Sequence, residues 1–219
     1  MIACDPMKSV SVFQYSKNEE IINWTSHSIG IVFGFFALVS LLVKSSPHFA
    51  LDLTIGHIVY GLSFIALFTA STCYHFTKDS ARKAALKKLD HVCIYIYIAG
   101  CYTPFVLHHY QGSGKFWFLA FVWMLASLGV MYKLFSKSKN IFISVGTYLG
   151  LGYSCFAVKD TLLDNLSPES FQWLLYGGIC YTIGVLFYIQ KKMPFHHALW
   201  HIFVLGGTTM HYFSLRMSF

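Results

Sequence analysis

Charged residues are scarce in this chain, because Asp, Glu, Lys and Arg make up only 11% of its 219 residues. A soluble domain carries about 25% of these residues. Apolar residues account for 56% of the chain, and the mean hydropathy is +0.55. A water-soluble fold of this composition would have more apolar side chains than its core could bury. A lipid bilayer accepts such a surface, so the composition indicates an integral membrane protein.

The chain also lacks paired cysteines. Its six cysteines are scattered singly, no CxxC pair occurs, and all but Cys4 lie in apolar stretches. This spacing excludes a disulfide framework of the kind found in small secreted domains. The cysteines are therefore interpreted as small buried apolar side chains.

Acidic residues number only nine against sixteen basic ones, which gives a net charge of +7. An excess of this size could indicate nucleic-acid binding. The lysines and arginines fall, however, in short segments between apolar runs, where they orient helices in a membrane. Nucleic acid is therefore not expected as a partner.

The first twenty residues are polar and contain no apolar stretch followed by a small-residue cleavage site. A cleavable signal peptide is therefore not predicted. Residues 1–20 are predicted to form a cytoplasmic N-terminal segment, and the first helix is expected to act as an uncleaved insertion signal.

Long apolar stretches dominate the remainder of the chain, and each is close to the roughly 20 residues needed to cross the hydrocarbon core. The seven predicted spans are 21–43, 51–76, 89–107, 116–135, 141–158, 171–189 and 195–217. The predicted fold is all-α, a seven-helix membrane bundle that forms a single domain over residues 21–217.

The distribution of Lys and Arg predicts the orientation of these spans. With the N-terminus in the cytoplasm, the inner segments hold twelve basic residues and the outer segments hold four. Positive charge favours the cytoplasmic side of short loops. The N-terminus is therefore predicted inside and, with seven crossings, the C-terminus outside.

Ionisable groups within apolar spans are costly and are functional candidates by default. Ser71 and His75 share one face near the end of the second span, and His197 and His201 share one face at the start of the seventh. Asp90 lies at the start of the predicted third span. Since spans two, three and seven meet the cytoplasmic side at these positions, all five side chains are predicted at one depth.

Three imidazoles and a nearby carboxylate are a reasonable donor set for Zn²⁺, which in catalytic sites has three protein ligands and an open position. Imidazoles favour zinc or another late transition metal over calcium or magnesium. Each residue taken singly has a simpler interpretation. Asp90 could be an N-terminal helix acid, and Ser71 could bond back to a carbonyl one turn earlier.

The other histidines are interpreted by their depth. His27, with Asn23, could join the cluster or orient one of its ligands. His57 and His211 are predicted nearer the outer leaflet and are not expected to be ligands. The histidines interpreted as interfacial hydrogen-bonding residues are His91, His108, His109 and His196.

Several motifs, taken together and in this order, resemble the hemolysin III family, which belongs with the progestin and adiponectin receptors and more distantly with the alkaline ceramidases. They are Glu20-Ile21-Ile22-Asn23 with His27, Ser71 to His75, Leu89-Asp90-His91, Ala99-Gly100-Cys101-Tyr102-Thr103-Pro104-Phe105, and His197-Ala198-Leu199-Trp200-His201 followed by Val204-Leu205-Gly206-Gly207. The resemblance covers nearly the whole chain.

The resemblance implies that His75, His197 and His201 bind zinc. It also implies that Asp90 holds or deprotonates a water beside the metal and that Ser71 lies close to the site. Cys101 departs from the family pattern, since bacterial relatives usually carry threonine there. The long cytoplasmic N-terminal domain of the adiponectin receptors has no counterpart, so their partner interactions are not expected.

The leading hypothesis is a zinc-dependent hydrolase of a lipid amide or ester, with Asp90 and Ser71 as catalytic residues. Its expected partners are membrane lipids, one of which would reach the site laterally as substrate, and its expected location is the bacterial plasma membrane. A second hypothesis is a non-catalytic receptor or regulator of membrane lipid state in which zinc staples helices together. A third is a pore-forming cytolysin, which is disfavoured because no span has a continuous polar stripe.

Overall fold

The computed structural model of the chain describes residues 15–45, 50–136 and 140–218. Within these ranges the chain forms helices and no strand, which confirms an all-helical fold. The helices are α1 (Lys17–Ser45), α2 (Leu51–Phe76), α3 (Ser80–His109), α4 (Lys115–Phe135), α5 (Ile141–Tyr153), α6 (Pro168–Ile189) and α7 (His196–Met217).

Within the described part of the chain, six segments are long and apolar enough to cross a membrane. They comprise α1 to α4, α5 together with the 3₁₀ helix that follows it, and α6. Large apolar side chains face outward from them, as illustrated by Trp117, which is 81% exposed, and Val32, which is 72% exposed. Exposed apolar patches of this extent suit contact with lipid. The last helix, α7, has 22 residues and falls outside this set, since it carries four histidines and an arginine.

The third helix is longer than the predicted span 89–107. It begins at Ser80, where the Asp79 side chain accepts a 2.8 Å hydrogen bond from the Arg82 backbone N–H. Asp90 consequently lies ten residues into the helix. The interpretation of Asp90 as an N-terminal helix acid is therefore wrong, because the macrodipole acts within the first turn.

The fifth predicted span, 141–158, is only partly α-helical. The α-helix ends at Tyr153 and continues as a 3₁₀ helix over Ser154–Thr161, in which Val158 has non-helical angles (φ −125°, ψ 32°). Gly146, Gly150 and Gly152 fall in the last eight residues of the α-helix, where glycine lowers helix stability. The segment still reaches the length of a membrane span through its 3₁₀ extension.

Helices α1, α2 and α3 pack side by side, and α7 packs between α6 and α1. The buried face of α1 follows a helical repeat that begins with two polar residues, Asn23 and His27. The backbones of α2 and α3 approach closely at Gly56, where an added Cβ would lie 2.6 Å from Cα of Pro104. This arrangement brings the beginning of α1, the end of α2 and the beginning of α7 to one end of the bundle.

Candidate metal centre

Three histidines converge at this end of the bundle. His75 lies in the last turn of α2, while His197 and His201 lie in the first two turns of α7, and all three are buried. One ring nitrogen from each lies within 4.8 Å of the other two, and Nε2 of His75 is 3.2 Å from Nε2 of His197. Such a group could hold a metal ion.

The start of α7 is fixed by the first turn of α1. Ser16 and Glu19 form a capping box. The Ser16 backbone N–H donates to Oε2 of Glu19 at 2.8 Å, and the Glu19 backbone N–H donates to Oγ of Ser16 at 3.2 Å. The other carboxylate oxygen of Glu19 accepts a 2.8 Å bond from the backbone N–H of Phe195. Phe195 has a left-handed backbone (φ 58°), which non-glycine residues rarely adopt. This turn directly precedes His197 and His201, whose rings contact the ring of His75 on α2.

Two of the three ring nitrogens that face away from the centre, Nδ1 of His75 and Nδ1 of His201, have partners on α1, whereas Nδ1 of His197 has no hydrogen-bond partner among the described residues. Nδ1 of His75 lies 2.7 Å from Oε2 of Glu20, and Nδ1 of His201 lies 3.3 Å from the backbone oxygen of Asn23. The Asn23 side-chain amide lies 3.4 Å from His75 Nδ1. Asn23 therefore contacts His201 through its backbone oxygen, and Nε2 of His75 and of His201 is left for a ligand.

Glu20 was part of the resemblance motif, but the sequence assigned it no role. Its second carboxylate oxygen, Oε1, accepts a 2.7 Å bond from Nζ of Lys83, which lies in the first turn of α3. Lys83 also donates to the backbone oxygen of Thr77 at the end of α2, at 3.3 Å. A sequence signal for Glu20 exists, since Glu20, Asn23 and His27 share the helical spacing of one face.

His27 does not join the three donors. Its ring stacks on that of His201, with centroids 3.6 Å apart and an interplanar angle of 23°. Among the described residues, neither of its ring nitrogens has a hydrogen-bond partner of normal geometry. His27 therefore contacts the centre through its ring face and limits the orientations open to His201.

Ser71 and Asp90, the predicted catalytic residues, are both buried close to the centre. Ser71 lies one helical turn before His75, and its hydroxyl is near the Asp90 carboxyl without forming a hydrogen bond of normal geometry. Asp90 lies outside the group of mutually close donors but lines the same cavity as His197 and His201. Asp90 therefore shares the cavity of the histidine cluster without being one of its three close donors.

Tyr15 covers the centre from the side of the N-terminal segment. Its ring stacks on His197, with centroids 4.7 Å apart and an angle of 24°, and it also contacts the ring of His75. Burial raises the pKa of the Tyr15 hydroxyl above its usual value. The ring is therefore neutral at physiological pH and shields the histidines from water.

A largely apolar cavity of about 180 Å³ leads away from the centre between α3, α5, α6 and α7. Asp90, His197 and His201 line one end of it. Its wall also includes Tyr153 and Leu175, both of which are 40% exposed on the outer surface of the bundle. The cavity therefore extends from the histidine cluster to partly exposed residues of α5 and α6.

The histidines predicted to lie away from the centre are not part of the cluster. His57 and His211 are outside the group of close donors, and the same holds for the four histidines interpreted as interfacial. Nδ1 of His91 contacts the backbone oxygen of Lys87 at 2.5 Å, as expected for a hydrogen-bonded side chain. Of the ten histidines that the structure describes, three therefore form the cluster.

Comparison with known proteins identifies the family. Residues 15–212 match the family model described as Haemolysin-III related. The chain belongs to this family. It is 37% identical over 201 residues to the hemolysin-3 homolog of Bacillus subtilis (strain 168), a match that covers 92% of this chain and 94% of that protein. It is 36% identical over 208 residues to hemolysin-3 of Bacillus cereus, covering 95% of the chain and 94% of that protein.

A more distant relative connects the family with receptors. The adiponectin receptor protein of Drosophila melanogaster is 24% identical over 221 residues, covering 88% of this chain and 48% of that protein. The relation to the hemolysin III and adiponectin receptor families is confirmed. With its apolar helices, this family member is an integral membrane protein.

Proposed function

We propose that this chain is a zinc-dependent hydrolase of a lipid amide or ester in the bacterial plasma membrane. The observation that carries the proposal is the convergence of His75, His197 and His201 in a buried site. Intramembrane ionisable residues are rare and usually functional. Three that meet at one point, beside a buried aspartate, favour a metal site over independent structural roles.

The donor set fits zinc. Tetrahedral geometry with Zn–N bonds of about 2.05 Å puts ligand nitrogens about 3.3 Å apart, and the two Nε2 atoms of His75 and His197 are 3.2 Å apart. All three donors in the group are imidazoles, which is typical of zinc sites that keep a position open for water. The contacts of Glu20 with Nδ1 of His75 and of the Asn23 backbone oxygen with Nδ1 of His201 hold two of the rings in place, as is usual for histidines that bind zinc.

When bound, the metal would polarise the acyl carbonyl and lower the pKa of a bound water toward about 7. Asp90 would accept a proton from the attacking water as the water oxygen bonds to the acyl carbon. The C–N or C–O bond then breaks, and Asp90 returns the proton to the leaving amine or alcohol. Ser71 would donate a hydrogen bond to the oxygen that gains negative charge.

The cavity supports a lipid substrate. Its walls are almost entirely apolar, and it passes from His197 and His201 to exposed residues of α5 and α6. An acyl chain could enter it from the bilayer without crossing water. Lateral entry suits a substrate that is itself a membrane component.

The proposed orientation has seven crossings, with the N-terminus in the cytoplasm and the C-terminus outside. Lys44, at the end of α1, donates a hydrogen bond to the backbone oxygen of Arg216 near the end of α7. The first and last helices therefore end on the same side, as required by an odd number of crossings. The histidine cluster would then lie near the cytoplasmic face.

Hydrolysis is tested with purified protein in lipid vesicles that contain ceramide or a glycerolipid ester, by measuring the release of free fatty acid. Release that falls after His197→Ala and after Asp90→Asn supports the proposal. Release that is the same in the wild type and in both variants would rule out hydrolysis at this site.

A non-catalytic zinc staple is the second candidate, and it is favoured by the origin of the donors. They come from α2 and α7, which lie far apart in the chain, so that an ion would tie the two helices together. A staple predicts that chelation lowers the thermal stability of the protein and that no lipid is hydrolysed. Lipid hydrolysis that is lost in Asp90→Asn would favour the enzyme over the non-catalytic staple.

A further inference from the structure

The Glu20 carboxylate links three helices at the edge of the histidine cluster. It lies in the first turn of α1 and contacts His75 on α2 through Oε2 and Lys83 on α3 through Oε1, both at 2.7 Å. Its side chain and that of Lys83 are 18% and 17% exposed, while the His75 side chain is fully buried. Charge-assisted bonds in partly buried positions are stronger than surface ion pairs.

Glu20 itself is on the wrong side of the imidazole to bind the same ion. Its oxygen meets Nδ1 of His75, whereas Nε2 of that ring meets His197. A carboxylate that accepts a hydrogen bond from Nδ1–H selects the tautomer in which Nε2 carries a lone pair. It also fixes the ring plane and raises the basicity of Nε2 as a ligand.

Lys83 fixes the carboxylate in turn. Its ammonium group donates to Glu20 and to the backbone oxygen of Thr77, the C-cap residue of α2, which lies two residues after His75. The ammonium also lies 5.2 Å from the ring centroid of Tyr74. These contacts restrain the long side chain of Lys83. The first turn of α3 is therefore linked to His75 through Lys83 and Glu20.

We infer that Glu20 is a positioning residue, which orients His75 for metal binding and is itself held by Lys83. This inference rests on the proposed metal centre and adds two residues to it. Glu20 acts through His75 alone, and Lys83 acts through Glu20. Loss of an outer-shell partner of a ligating histidine typically weakens metal affinity about 10- to 100-fold.

The test measures the zinc affinity of the full-length purified protein by competition with a chelator, and the visible spectrum of the protein loaded with Co²⁺. Glu20→Ala is expected to raise the zinc Kd by roughly 10- to 100-fold. Glu20→Gln keeps an acceptor oxygen without the charge, so a smaller increase in Kd is expected. Lys83→Met is expected to raise the zinc Kd in the otherwise wild-type protein. In the Glu20→Ala background the same substitution is expected to raise the Kd little further, because Lys83 acts through Glu20.

Arg82→Met is the matched control, since it removes one positive charge from the same turn of α3 at an exposed side chain. It is expected to leave the zinc Kd and the Co²⁺ spectrum unchanged. If Glu20→Ala does not fold, the isosteric Glu20→Gln variant decides through its Co²⁺ spectrum. A Kd and a spectrum equal to those of the wild type in the Glu20 variants would overturn the inference, whereas a wild type that binds no zinc would instead refute the metal centre.

Discussion

Nε2 of His75 and Nε2 of His197 lie 3.2 Å apart, although 122 residues separate them in the chain. In the tautomer in which Nδ1–H of His75 donates a hydrogen bond to the Glu20 carboxylate, Nε2 of His75 keeps a lone pair, and this atom faces the neighbouring imidazole. His201 adds a third ring within 4.8 Å. A cation held between these nitrogens would stabilise an arrangement that is otherwise costly in a buried site.

Loss of the cluster's imidazoles is expected to abolish metal binding. His197→Ala and His201→Ala each remove one of three donors, and elemental analysis of the purified variants should find far less zinc than in the wild type. His108→Ala is the control, because that histidine is exposed and lies outside the cluster. Equal zinc content in all four proteins would show that the metal assignment is wrong.

Asp90→Asn is expected to separate metal binding from turnover. Asparagine keeps the size of the side chain but cannot accept the proton of the water, and general base catalysis contributes about 10²- to 10⁴-fold. Zinc content should therefore stay near that of the wild type while lipid hydrolysis falls by that factor. Asp52→Asn, at an exposed position in the first turn of α2, serves as the control and should hydrolyse at the normal rate. Unchanged hydrolysis in Asp90→Asn would contradict the role of a base.

Gly56→Ala is expected to destabilise the bundle. The new Cβ would lie 2.6 Å from Cα and 3.0 Å from Cβ of Pro104, and a backbone atom cannot move aside as a flexible side chain can. Overpacking of this kind costs about 1–3 kcal/mol. Thermal unfolding in detergent should show a lower midpoint than in the wild type. Gly150→Ala on α5, where nothing lies within 4 Å, should not lower it.

The orientation predicts which surface positions are accessible from outside the cell. In a variant without native cysteines, a cysteine placed at Lys159 should react with a membrane-impermeant maleimide on intact cells. A cysteine at Lys78 should react only after permeabilisation. Both positions are exposed, so that the reagent can reach them. The reverse labelling pattern would invert the proposed topology.

The positions of the helices follow from the sequence because apolar runs and polar breaks alternate clearly along it. The convergence of His75, His197 and His201 was also predictable, since alternating crossings bring the end of the second helix and the start of the seventh to one level. Their i, i+4 spacing placed His197 and His201 on one face. These predictions depend on local pattern and on crossing order, which a single sequence carries.

The remaining features depend on contacts between distant segments. The sequence did not reveal that Glu20 reaches His75 or that Lys83 reaches Glu20, because these contacts require the packing of three helices. The extension of α3 to Ser80 was missed because its first residues are polar and continue the helix outside the apolar run. The 3₁₀ end of the fifth span was missed for a different reason, since apolarity does not distinguish a 3₁₀ helix from an α-helix.

The central claim is that three imidazoles bind one zinc ion, and anomalous scattering tests it most directly. Diffraction data from crystals of the purified full-length protein, collected above and below the zinc absorption edge, would identify and locate the metal. We predict a single strong peak, present only above the edge, within bonding distance of Nε2 of His75, His197 and His201. A map with no peak there, or with the three rings directed away from one another, would contradict the claim.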